Sequence, residues 1–244
     1  MELNSLIKNT THPSWHSLLI NAANKLDKEY IEFIENGNYL PTNNRLFNAF
    51  RDIPKSSVKY ILFGQDPYPR EQSAIGVAFI DGSVENIFTD SGLSKEVNRA
   101  TSLRNFIKMA LVASNRLKGN NTTKDALKNL KRDDLIDSIY QLKSNFEKSG
   151  VLLLNASLIY TEKKSSSYHA KKWQPFIKEL LDNLNSDIEL ILFGNFAKDI
   201  KKKLNPKQKT IELEHPYNIS FITNPKALKL FGDMNLLFPH YCMI

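Results

Sequence analysis

Gly64-Gln65-Asp66-Pro67-Tyr68-Pro69 sets a carboxylate, a carboxamide and a phenol ring on a backbone restricted by two prolines. A carboxylate fixed in this way can orient or deprotonate a water, or oppose positive charge that develops as a bond breaks. Gly, Asp and Pro also make ordinary turns, so the segment alone reads equally well as a strand-to-helix connection. Tyr68 tips the balance, because a large ring between two prolines is poor turn filler and good pocket wall. Three other positions share this setting at the end of an apolar run: Phe79 after Gly76-Val77-Ala78, Asn155 after Val151-Leu152-Leu153-Leu154, and His215 after Lys209-Thr210-Ile211-Glu212-Leu213. Each has a plain alternative as core ring, helix cap or His-Pro turn.

The elements that must position these residues follow from hydrophobic pattern. Val58-Lys59-Tyr60-Ile61-Leu62-Phe63, Val151 to Leu154 and Ile188-Glu189-Leu190-Ile191-Leu192-Phe193 read as buried strands, with Lys209 to Leu213 as a more exposed one. Gly76 to Ile80 is short enough for strand or extended loop. Helical spacing marks a lead-in over residues 1–40 ending at Gly37. It marks further helices from Ser102, as N-cap, through Leu117 to Gly119, from Leu135 to Gly150, from Trp173 to Leu184, after Gly194, and from Pro225 through Leu236. Asp81 to Arg99 shows no regular pattern. Strands alternating with amphipathic helices predict an α/β fold, a three-layer α/β/α sandwich around a twisted, mainly parallel sheet of roughly four strands. Nothing divides the 244 residues, so one domain is expected. In a parallel sheet the ends of the strands share one rim, where ligands bind.

Composition narrows the class. A hydrophobic fraction of 41% with 24% charged residues is that of an ordinary folded protein, and a net charge of +7 favours a polyanionic partner. A single cysteine, Cys242, excludes an internal disulfide and suits a reducing, cytoplasmic compartment. The start of the chain lacks the pattern of a secretory signal, and no apolar run has membrane-spanning length. Histidine and cysteine spacing suggests no metal site. The Gly-rich phosphate loops of nucleotide-binding folds are missing.

Taken together, the Gly64 to Pro69 motif, Gly76 to Phe79, Leu152-Leu153-Leu154-Asn155 and His215-Pro216 resemble, in order and spacing, the family-1 uracil-DNA glycosylases. Phe47-Asn48-Ala49-Phe50 and Leu192-Phe193-Gly194-Asn195-Phe196-Ala197-Lys198 add to the likeness, which runs from about Leu40 to Asp233 and is poor from Gly82 to Ser149. The resemblance implies hydrolysis of the N-glycosidic bond of uracil in DNA after the nucleotide is swung out of the helix, with no cofactor. It assigns Asp66 to the water and the cation-like sugar, and His215 to the departing base. Gln65, Tyr68, Phe79 and Asn155 would form the uracil slot. Ser102, Pro216, Tyr217, Ile219 and Ser220 would meet DNA, with Ile219 as the wedge that enters the base stack. The implied partners are single- or double-stranded uracil-containing DNA and acidic DNA-mimic inhibitor proteins, with the protein itself a monomer.

The chain also departs from the family pattern. Pro69 stands where the family has His, Tyr217 where it has a small hydroxyl, and Ala100-Thr101-Ser102-Leu103 where a proline-rich loop is usual. The mismatch-specific branch, with Asn at position 66 and Gly at 68, fits poorly. A catalytically weak DNA-binding or replication-associated protein on the same fold is the remaining alternative; it has no need of Asp66, Asn155 and His215 together.

Overall fold

Val151 to Leu154 carries no polar alternation, the mark of a strand covered on both faces, and all of these residues are buried. The computed structural model describes residues 2–239, apart from the side chains of Asn43 and 196–198. Cys242, on which the redox expectation rests, lies outside the described residues, as do the side chains of Phe196 and Ala197. In chain order the elements are α1 (Leu3–Thr10), α2 (His16–Ala23), α3 (Lys28–Asn36), β1 (Tyr60–Gly64), β2 (Phe88–Thr89), β3 (Gly92–Leu93), α4 (Lys95–Arg99), α5 (Thr101–Ala113), α6 (Lys124–Lys128), α7 (Ile139–Lys148), β4 (Val151–Asn155), α8 (Ser166–Asp182), β5 (Glu189–Phe193), α9 (Phe196–Leu204), β6 (Lys209–Leu213) and α10 (Pro225–Gly232). The chain divides into two units, one of residues 1–81 and 150–212, the other of 82–149 and 213–244.

The first unit holds the sheet, in strand order β4-β1-β5-β6. β1 pairs in parallel with β4 and with β5. The register puts Ile61 beside Leu152 and Leu190, and Phe63 beside Leu154 and Leu192. These six side chains, two residues apart along each strand, share one face of the sheet. They join one core with Trp173, Phe176 and Leu180 of α8 and with the helices of the lead-in. Trp173 meets Phe176 edge-on at 5.1 Å and Phe47 at 6.4 Å. Each large apolar side chain buried here contributes roughly 1.5–3 kcal/mol. The α/β architecture, with a parallel four-stranded sheet flanked by helices, is the one the pattern predicts.

The second unit is built around Phe106 of α5, whose ring lies 4.9 Å from Phe231, 5.6 Å from Phe146 and 6.3 Å from Phe221. α7 begins with a capping box, Ser138 accepting from the chain ahead while Gln141 accepts from the Ser138 N–H.

Several boundaries depart from expectation. The lead-in is three helices, with Asp27 capping α3. Gly76 to Ile80, open between strand and extended loop, is loop. Asp81 to Arg99, expected to be irregular, contains the β2–β3 hairpin and α4, elements too short for periodicity to reveal. The short α6 was hidden for the same reason. Ser102 is not an N-cap: α5 starts at Thr101, with the cap two residues earlier at Ala100 and no side chain satisfying it. α5 also stops at Ala113, well short of Gly119, and α10 stops before Leu236. No helix among the described residues is long and apolar enough to cross a membrane.

Candidate functional site

Gly64, the last residue of β1, faces Asn155, the last of β4. The approach is so close that a Cβ on Gly64 would lie 2.2 Å from Asn155 Oδ1 and 2.9 Å from the Ala78 Cβ, so only glycine fits. Pairing continues past both strands: the Ala156 N–H donates to Gly64 O at 2.9 Å and the Ser157 N–H to Gln65 O at 3.0 Å. Gln65 is thereby held beside Asn155, whose side chain is buried at 6% exposure. On the edge of β4 away from β1, the Ala78 N–H donates to Leu153 O at 3.1 Å and brings in the loop that carries Phe79. Gly76 turns that loop at φ 74°, where any Cβ would strike Arg45 O. Asn48 steadies the turn by donating to Ile75 O at 2.7 Å.

Phe79 itself sits at φ 68°, a left-handed conformation rare for an aromatic residue and costing on the order of 1–3 kcal/mol. Its ring is half-buried and lies 6.2 Å from that of Phe193 at the end of β5. The Tyr68 hydroxyl donates to Phe79 O at 3.4 Å. Burial, reinforced by the Asp81 carboxylate and opposed by Arg70, pushes the Tyr68 phenol up to about 12, so it stays neutral. Arg70 and Asp81 pair with each other at 3.4 Å. Gln65, Tyr68, Phe79 and Asn155, 90 residues apart at the extremes, are thus brought together around the ends of β1 and β4 in one unit.

Asp66 belongs to the same unit. It is half-buried, and burial raises its pKa above the usual aspartate value. The hydroxyl of Ser166, in the first turn of α8, donates to Asp66 Oδ2 and works in the opposite direction by stabilising the anion. Sequence reading missed Ser166, since it is one serine in a run of three, Ser165-Ser166-Ser167, and only the first is marked by its position as an N-cap.

The remaining sequence-predicted residues lie in the second unit. His215 follows β6 by two residues, in a turn closed by the Asn218 N–H donating to His215 O at 2.9 Å. The Tyr217 N–H donates to His215 Nδ1 at 3.1 Å. Nδ1 is therefore the acceptor and the ring hydrogen of the neutral imidazole is on Nε2. Although part of the ring is exposed, its surroundings lower the pKa by desolvation, which favours that neutral form. Asn105 of α5 fastens the loop, its amide donating to the carbonyls of Pro216, Tyr217 and Asn218 at 2.8, 3.2 and 3.4 Å. Glu214 closes it from the other end, accepting from the Ser220 hydroxyl at 2.5 Å and from the Asn224 amide at 2.8 Å. Between these anchors Tyr217 and Ile219 project, 66% and 70% exposed. Pro216 is buried, and Ser102 is half-buried on the first turn of α5. No motif marks Asn105 or Glu214: Asn105 acts on backbone carbonyls far along the chain, and Glu214 on the side chains of Ser220 and Asn224 across a turn.

His169 is buried between the Tyr30 hydroxyl at 2.8 Å and the Thr161 hydroxyl at 2.9 Å. Several lysines near these elements are engaged within the fold: Lys172 pairs with Asp27, Lys201 with Glu212 and Lys203 with Asp199, while Lys207 caps α8 at Asp182 O.

A half-buried carboxylate thus stands in the same unit as two carboxamides and two aromatic rings gathered around the ends of parallel strands in an α/β fold. Residues 50–236 match the model of the uracil DNA glycosylase superfamily. The uracil-DNA glycosylase of Borreliella burgdorferi is 28% identical over 221 residues, covering 83% of this chain and 82% of its own. The wild-type UNG structure from Nitratifractor salsuginis superposes with a TM-score of 0.94 at 46% identity, covering 98% of this chain and 97% of that one. A mimivirus UNG in complex with UGI, 20% identical, shares the fold at a TM-score of 0.56 over 88% of this chain and 73% of its own. The chain belongs to the uracil DNA glycosylase superfamily.

Proposed function

We infer that the protein is a uracil-DNA glycosylase that flips the nucleotide out of DNA, hydrolyses the N-glycosidic bond and leaves an abasic site. The observation that carries the reading is Asp66, an ionisable carboxylate held by Ser166 in the same unit as Gln65, Tyr68, Phe79 and Asn155, the residues assigned to the uracil slot. As the glycosidic bond lengthens, the sugar becomes cation-like and the base anionic. Asp66 opposes the first charge and orients the water; His215, donating through Nε2, takes up the second at uracil O2. Because the imidazole is neutral, donation does not require a histidine proton to be lost or gained.

Selection of the base needs an edge, a face and an exclusion. Asn155 gives one hydrogen bond and accepts another, matching uracil and mismatching cytosine. Phe79 stacks on the flipped ring, a contact worth about 1–3 kcal/mol. Tyr68 occupies the space a thymine methyl requires, and Gln65 supplies donors to the base. In the His215 loop, Ile219 is the wedge, while Pro216, Tyr217, Ser220 and, on α5, Ser102 meet the DNA strand. The hydroxyl hydrogen of Ser220 is engaged by Glu214, so its phosphate contact comes from the backbone. The protein acts as a monomer in the cytoplasm, and its exposed His215 loop is the surface an acidic DNA-mimic inhibitor would cover.

Incubation with a uracil-containing oligonucleotide and a metal chelator is expected to release free uracil and leave an alkali-labile strand. An intact oligonucleotide after prolonged incubation with folded protein overturns the reading.

A further inference from the structure

Away from the residues assigned above, the second unit encloses a cavity of about 580 Å³ between the β2–β3 hairpin, α4, α5 and α6. Its charge is of one sign. Lys95, Lys108 and Lys124 line it with Asn98, Thr89 and Ser91, and no carboxylate does. None of the three lysines makes an ion pair or hydrogen bond among the described residues, whereas Lys143, Lys178 and Lys201 all find carboxylates. Arg104 adds a fourth cation one turn before Lys108, its guanidinium donating to Asn98 O at 3.0 Å. Lys108 is half-buried, and burial together with Arg104 lowers its pKa.

Lysines that line one cavity with no carboxylate to pair them favour an anion there, and Lys108, partly desolvated beside Arg104, gains most from one. We propose that this cavity receives a backbone phosphate of bound DNA, an assignment that rests on the reading of the protein as a DNA enzyme. Two features favour a phosphodiester of a polyanion over a free phosphate. Lys95 and Lys124 are exposed and on mobile stems, adequate for charge neutralisation but poor at fixing a small anion. A DNA strand, unlike a small anion, gains from such contacts by counterion release at many phosphates together. The cavity also lies wholly within residues 82–149, the part of the chain that the family resemblance covers worst.

The test compares K95Q/K108Q/K124Q with wild type and with K8Q/K28Q/K55Q, a control that removes the same charge elsewhere. Fluorescence anisotropy with a uracil-free single-stranded oligonucleotide, between about 50 and 200 mM salt, reads binding independently of catalysis. Loss of one phosphate contact lowers the slope of log affinity against log salt by about 0.7, which is about fivefold in affinity at 0.1 M. The cavity variant is expected to show this loss, with the control unchanged and saturating turnover on uracil-containing DNA retained. Equal slopes for all three proteins overturn the proposal. So does a Lys108 side-chain NMR signal that shifts with inorganic phosphate or a deoxynucleoside monophosphate while the oligonucleotide stays bound, because the ligand is then a small phosphate. Failure of the glycosylase reading shows separately, as wild-type protein that binds the oligonucleotide but releases no uracil.

Discussion

Asn105→Ala isolates the fastening of the His215 loop. The amide has two hydrogens and three carbonyls within 2.8 to 3.4 Å, so it makes at most two well-formed bonds, the stronger to Pro216. Truncation removes about 1 kcal/mol for each bond and leaves the Pro216 carbonyl, in a buried residue, without its donor. The carbonyls of Tyr217 and Asn218, in exposed residues, can turn to water at small cost. The sum is about 2 kcal/mol, a shift of roughly thirtyfold in the equilibrium between the fastened and released loop. Hydrogen exchange of the Tyr217 and Asn218 amides, both bonded within the loop, is expected to accelerate by up to that factor. The ratio kcat/KM for uracil release should fall by no more than the same factor. Asn105→Asp separates donor from volume: it keeps the size, cannot donate, and sets a charge against three carbonyls, so it must be at least as damaging as alanine. An Asp variant with wild-type exchange and activity, or an Ala variant with both unchanged, refutes the reasoning.

Ser166→Ala removes the hydroxyl that holds the Asp66 pKa down, so the acidic limb of the pH–kcat/KM profile should move to higher pH; a limb that stays in place while activity falls would reduce Ser166 to a packing role. Asp66→Asn should abolish most turnover while leaving DNA affinity intact. Because the folded pKa of Asp66 is raised, its ionised form costs stability once the pH passes the ordinary aspartate range, so the Asn variant should melt higher at neutral pH, by a margin that shrinks toward acid. Near-normal turnover in this variant, or a lower melting temperature at neutral pH, contradicts the assignment. Tyr68→Ala opens the space assigned to a thymine methyl and should begin to release thymine from ordinary DNA, measured as free base; no release under forcing conditions would place selectivity elsewhere. Ile219→Ala removes an apolar tip that is 70% exposed, and should raise KM for duplex substrate more than for single strands, equal losses being the contrary result.

The sheet was legible because β4 and the centres of β1 and β5 are unbroken apolar runs, and burial on both faces leaves no other reading of Val151 to Leu154. The residues at the strand ends were legible for a related reason: a polar or aromatic residue that interrupts such a run is conspicuous. What stayed hidden depends on contacts between distant parts of the chain. Asn105 is an ordinary polar residue on an amphipathic helix until its amide is seen against the loop more than a hundred positions away. Ser166 cannot be told from its neighbours by type. Short elements failed differently, since α4, α6 and the β2–β3 hairpin contain too few residues to show a period, and a missing side-chain cap at Ala100 moved the start of α5 away from the serine that sequence favoured.

Phe79 shows why, of strand and loop, the chain takes the loop here. Gly76-Val77-Ala78-Phe79-Ile80 has the composition of a strand, and an extended backbone is the cheaper conformation for each of these non-glycine residues. The chain instead makes one bond to β4, from Ala78 to Leu153 O, and reverses φ at the next residue. Continued pairing would direct alternate side chains to opposite faces of the sheet, whereas the reversal at Phe79 lets its ring leave that pattern beside Phe193. Strain of this kind persists only where the surroundings over-determine it. Here Gly76 fixes the entry, Asn48 anchors Ile75, and the Tyr68 hydroxyl holds the Phe79 carbonyl. Tyr68 therefore has two tasks in the proposed reaction, barring a methyl group and steadying the ring on which uracil stacks, and its truncation should weaken uracil binding even as it admits thymine.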